Sequence, residues 1–182
     1  MVKDSDIIAQ ATIGNKGAYR ELLRKYSNLA LAVAFARSGN RETARLGAAD
    51  AFVQASKELP NLPEAAPIAP WIASVTRAEV SKRMGSTRRA SLTLEAARER
   101  IEKTLEEAGG SGQLDSDTKS ELVMIALSAL PDEAREALCL RHIYDTSYAE
   151  IAAAMATDAS QVDDEIARAR KQLADIIGSL FI

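Results

Sequence analysis

The sequence predicts an all-α chain of two helical domains joined by a flexible connector, the C-terminal one a helix-turn-helix. Three observations carry that reading. Of 182 residues, 47% are apolar and 27% charged but only 4% aromatic, a globular composition that suits helices and disfavours a large aromatic-rich sandwich. Apolar residues recur at spacings of three and four along most of the chain, the period of one helical face. Finally, Gly109-Gly110-Ser111-Gly112 is a flexible run that divides the chain in two.

Taken in order, Ile7, Ile8 and Ala11 predict a short first helix, closed by the turn at Gly14-Asn15-Lys16-Gly17, where Gly and Asn tolerate positive φ. Tyr19, Leu22, Leu23, Tyr26, Ala30 and Val33 form the inward stripe of a longer second helix that runs to the Gly39-Asn40 break. A third helix spans Arg41 to Leu59, with Ala44, Ala48, Ala51, Phe52 and Ala55 inside, small residues that allow close helix approach. Pro60, Pro63, Pro67 and Pro70 then predict a loop, because each lacks an amide proton and restricts its predecessor. From Trp71 to Met84 the helical period resumes around Trp71, Ile72, Val75 and Val80, with Trp71 a core anchor. Its polar side is basic: Arg77, Lys82 and Arg83, with Arg88 and Arg89 just beyond.

Residues 91–117 read as the connector between domains at 1–90 and 118–182, although Ser91 to Glu107 favours helix. The second domain opens with helices over Thr118 to Ala129 and Asp132 to Ile143, separated by Leu130-Pro131. Ser147-Tyr148-Ala149-Glu150 then fits a capping box, in which a hydroxyl and a carboxylate satisfy reciprocal backbone donors at a helix start. Asp158-Ala159-Ser160-Gln161 repeats the arrangement a short turn later, and Val162, Ile166, Ala169, Leu173 and Ile176 face inward on the helix it opens. Two capped helices joined this tightly are a helix-turn-helix signature.

Charge and chemistry narrow the function. The net charge of −3 hides an asymmetry: residues 1–90 hold 14 basic and 8 acidic side chains, residues 91–182 hold 9 and 18. The N-terminal half therefore faces a polyanion more readily. Cys139 is the single cysteine, expected as a small buried apolar residue, and His142 is the single histidine; neither sits in a metal-ligating cluster, and no phosphate loop, HExxH or nucleophile–base pair is present. No catalytic residue, metal or cofactor is expected. The N-terminal residues lack the basic-then-apolar order of a signal peptide, and no run reaches the roughly 18 apolar residues of a membrane span, so a cytoplasmic, membrane-free protein is expected.

Several of these motifs together resemble a known family. Leu130-Pro131, Arg135, Leu138, Leu140, Ser147-Tyr148-x-Glu150-Ile151-Ala152, Val162 and Arg168-Ala169-Arg170-x-x-Leu173 are similar, without a gap, to the promoter-reading domain of extracytoplasmic-function sigma factors of bacterial RNA polymerase. The Gly-Asn turn before Ala18-Tyr19, Leu22 to Tyr26, Phe52, and Trp71-Ile72 opening a basic helix resemble the family's other domain. The resemblance implies a non-catalytic specificity subunit with core RNA polymerase, promoter DNA and an anti-sigma factor as partners. It implies −10 contact through Arg77, Lys82, Arg83, Arg88 and Arg89, −35 contact through Gln161, Arg168, Arg170 and Lys171, and polymerase contact through Asp50 and Phe52.

Two departures from the family pattern stand out. Arg45-Leu46 and Ala49-Asp50 replace most of an acidic polymerase-binding pattern, and Asp163, Asp164 and Glu165 occupy places where a lysine, a serine and an arginine are usual. These acids are expected to gain from the helix dipole and from an Asp164–Arg168 pair, and to weaken phosphate attraction. The alternative reading is therefore a degenerate sigma-like module that binds a protein regulator through an acidic C-terminal surface without reading promoters.

Overall fold

The computed structural model describes residues 4–63, 67–85, 92–110, 112, 114–143 and 145–178. Helices α1 (Asp4–Thr12) and α2 (Lys16–Ser38) meet at the predicted turn, where the Asn15 carboxamide oxygen accepts from the amides of Gly17 at 2.9 Å and Ala18 at 3.2 Å. The Gly39-Asn40 break works from both sides. Gly39 takes a left-handed φ of 62° and donates its amide to Phe35, ending α2, and Asn40 accepts from the Thr43 amide at 2.9 Å to start α3 (Arg41–Glu58). Both are side-chain or glycine solutions to orphaned helix-end groups.

After a 3₁₀ turn at Leu59–Asn61, α4 (Ile68–Met84) begins three residues earlier than the prolines predict. Pro67 caps it from outside and Pro70 lies in its first turn; amides there have no intrahelical acceptor, so proline costs nothing. Ala44, Ala48, Ala51 and Ala55 are buried as expected, while Phe52 is only half-buried and packs at the rim of the core. Gly47 makes the α3–α4 approach possible: a Cβ there would lie 2.6 Å from Cγ2 of Val80, itself fully buried.

Within the connector, α5 (Leu94–Glu107) starts at Thr93, whose hydroxyl accepts from the Ala96 amide. Its Ala97 and Ile101 pack with Ile125 and Ala126 of α6 (Ser116–Ser128) and with Ile176. The chain continues through α7 (Asp132–Leu138), a wider π-helical turn at Cys139–Ile143, α8 (Tyr148–Met155) and α9 (Ala159–Gly178). Cys139 is buried, and burial pushes its thiol up to about 12.

The two helical groups pack directly on one another. α8 lies against α4, and α7 with its π turn lies against α2. One apolar core runs through both, from Leu22, Val33 and Ile72 to Leu130, Leu140 and Ile151, with Trp71 at its edge. No helix among the described residues is long and apolar enough to cross a membrane.

The turn between α8 and α9 contains a strained residue: Ala156 sits at φ 54°, ψ 44°, a left-handed conformation that costs an L-residue with a Cβ about 1 kcal/mol. Ala156→Gly is expected to stabilise the chain by roughly 0.5–1 kcal/mol. Urea melts check this; an unchanged midpoint would show that the turn relaxes at no cost.

Candidate nucleic-acid interface

The capping box at the start of α8 is complete. Ser147 Oγ accepts from the Glu150 amide at 3.3 Å, and Glu150 Oε2 accepts from the Ser147 amide at 3.0 Å. Ser147→Ala is expected to cost about 1 kcal/mol, measurable as a lowered denaturation midpoint with α8 amides exchanging first. Asp158 opens α9 in half of the predicted way. Its Oδ1 accepts from Ser160 Oγ at 2.6 Å and from the Gln161 amide at 2.9 Å, bonds that hold its carboxyl below the usual carboxylate range. The Gln161 side chain instead accepts from the Thr157 hydroxyl.

Val162, Ile166, Ala169 and Ile176 bury the inner face of α9, leaving Gln161, Asp163, Asp164, Arg168, Arg170 and Lys171 exposed together. Two expectations need correction here. Arg168 bonds Glu165 Oε2 at 2.6 Å and the backbone carbonyl of Asp164 at 3.3 Å rather than the Asp164 carboxylate; the guanidinium reaches back one turn to the longer glutamate three residues before it. Moreover, α9 begins at Ala159, so its first turn holds no acid, and the helix dipole decays before Asp163. Arg170 Nη2 lies 2.8 Å from His142 Nε2. Burial, then the charges of Arg170 and Arg141, lower the His142 pKa, so the neutral ring accepts from the guanidinium.

On α4, each described member of the predicted basic group meets an acid. Lys82 Nζ is 2.5 Å from Glu79 Oε1, Arg83 Nε is 3.0 Å from Asp50 Oδ2, and Arg77 Nη2 is 2.5 Å from Glu136 Oε1. Arg88 and Arg89 lie outside the described residues. Of the two polymerase-contact candidates, Asp50 is thus engaged by Arg83, and Phe52 offers its backbone carbonyl to the Tyr19 hydroxyl. Arg45 pairs with Glu42 at 2.8 Å, which holds the Glu42 carboxyl below the usual range.

Sequence reasoning missed the bonds between the two helical groups. Arg77 reaches across to Glu136, and Arg135 Nε donates to the Ala36 carbonyl at the end of α2 at 2.6 Å. Their partners stand 59 and 99 residues away, beyond any local periodicity. An open groove of about 850 Å³ also lies between α2, the start of α3 and α6, lined by Leu31, Phe35, Val123 and Met124 and by the charged Arg41, Arg45, Lys119 and Glu121.

Residues 120–173 match the family model of sigma-70, region 4, a stretch that runs from α6 into α9 and contains the helix-turn-helix. No curated protein sequence matches the chain. Among solved structures, CnrH in complex with the cytosolic domain of CnrY is similar over 97% of each chain, at 24% identity and a TM-score of 0.55. The sigma factor RpoE in complex with the anti-sigma factor NepR from Bartonella quintana is similar over 87% of this chain and 95% of its own, at 20% identity and a TM-score of 0.52.

Proposed function

We propose that the protein is an extracytoplasmic-function type sigma factor, a reading supported by the sigma-70 region 4 match at residues 120–173 and by similarity to these structures over 97% and 87% of the chain. It is a non-catalytic subunit that binds core RNA polymerase and directs it to promoter DNA in a bacterial cytoplasm. The observation that carries this reading is the capped α8–α9 helix-turn-helix inside the family match. The domain at 1–90 captures the −10 element through Arg77, Lys82, Arg83, Arg88 and Arg89 and meets the polymerase through Asp50 and Phe52. The domain at 118–182 approaches the −35 element through Gln161, Arg168, Arg170 and Lys171, and residues 91–117 connect the two.

A second reading rests on two observations: the acids on the exposed face of α9, and the open groove of apolar and charged residues beside α6. In it the chain binds a protein regulator, such as an anti-sigma factor, and reads no promoter. The deciding experiment is binding of the purified chain to core RNA polymerase against an extracytoplasmic-function sigma factor as competitor, followed by promoter opening. Competitive binding with opening supports the first reading. Absent core binding removes it and leaves the second.

A further inference from the structure

Arg77 was expected to point at a phosphate, yet it is committed within the molecule. Its Nη2 and Nε meet the two oxygens of Glu136 at 2.5 and 3.2 Å, and Nη2 also lies 3.3 Å from the Ala154 carbonyl at the end of α8. The Glu136 side chain is 8% exposed and that of Arg77 29%. Two-pronged guanidinium–carboxylate bonding adds geometric specificity to attraction, and losing one partner strands a buried charge, so such a contact is all-or-none. Around it, α8 covers a flank of α4, Arg135 holds the end of α2, and Arg37 lies 4.0 Å from Asp132.

We propose that the Arg77–Glu136 pair is a latch that holds the free chain in a closed state, with α7 and α8 masking the Arg77 flank of α4. In this state the Arg77 charge is compensated from within the molecule. Closure itself is a property of the structure; its effect on DNA binding rests on the reading of α4 given above. A chain closed nine-tenths of the time binds through its masked flank about tenfold more weakly than an open one.

The test uses the full chain, with solution X-ray scattering for shape and anisotropy of a labelled duplex for DNA binding. Glu136→Arg sets two like charges face to face. Glu102→Arg, at an exposed site on α5, which packs on α6 and α9, makes the same change in net charge on a different helix. The exchange Arg77→Glu with Glu136→Arg restores an opposite pair and shows that the site tolerates arginine. A compact chain of this length has a radius of gyration of about 16 Å. The expected result is a larger radius for Glu136→Arg alone, a return to the wild-type radius in the exchanged pair, and duplex binding about tenfold tighter for Glu136→Arg than for Glu102→Arg. A Glu136→Arg chain as compact as wild type, or an exchanged pair as expanded as the single variant, overturns the latch. Expansion with duplex binding equal to that of Glu102→Arg upholds the latch and overturns the DNA-binding role of α4.

Discussion

Changing Asp163→Lys, Asp164→Ser and Glu165→Arg together is expected to tighten binding of the chain to a −35-type duplex by roughly two orders of magnitude at low salt. Three negative charges leave the second turn of α9 and two positive ones arrive, on the helix that also presents Gln161, Arg170 and Lys171 to solvent. Each charge near a phosphate is worth roughly 1 kcal/mol in water at 4 Å, less with distance and ionic screening, so a gain of about 3 kcal/mol follows from five units of charge. The change also removes the carboxylate that holds Arg168. Stability should fall by less than about 1 kcal/mol, because only one exposed ion pair is lost and the acids lie past the turn where the helix dipole acts. Anisotropy titrations across a salt series check both parts: tighter binding should come with a steeper salt dependence. Tight wild-type binding that the substitutions leave unchanged would show that the acids face away from DNA.

Gly47→Val is expected to destabilise the chain by about 3 kcal/mol, lowering the melting temperature by roughly 10 °C. A Cβ at this place lies 2.6 Å from Val80 Cγ2, and Val80 is fully buried on α4 between α2 and α3. A β-branched residue in a helix has essentially one rotamer, so Val80 cannot swing aside. The better helix propensity of valine over glycine offsets only a few tenths of a kcal/mol. Adding Val80→Ala opens the space and should recover a large part of the loss. A double-mutant cycle of thermal melts measures the coupling, and additive effects would locate the strain elsewhere.

What the sequence discloses and what it withholds divides along the range of the interactions. Helix ends at Gly14-Asn15, Gly39-Asn40 and Ser147 were legible because each is settled by a side chain or a positive φ within four residues. The inward stripe of α9 was legible for the same reason, since its period is local. Pro70 misled by three residues because a proline in a first turn and one in a loop look alike until the cap is known. The candidate interface was half legible: the exposed set on α9 follows from periodicity, but the partners of Arg77, Arg83 and Arg170 come from other elements. A cation in a sequence shows its charge, not which carboxylate the fold will bring to it.

The order in which the closed arrangement is put together gives it a history in the cell. Helices α1 to α4 pack mainly on one another and are finished at Met84, whereas Glu136 and the end of α8 at Met155 belong to a later stretch. At a synthesis rate of roughly 5–20 residues per second, the 71 residues between Met84 and Met155 leave the first four helices without their cover for about 4–14 s. During that interval the nascent chain presents the Arg77 flank of α4 openly, to ribosomal RNA as much as to any later target. Each newly made molecule thus passes once through an uncovered form before its own C-terminal helices arrive.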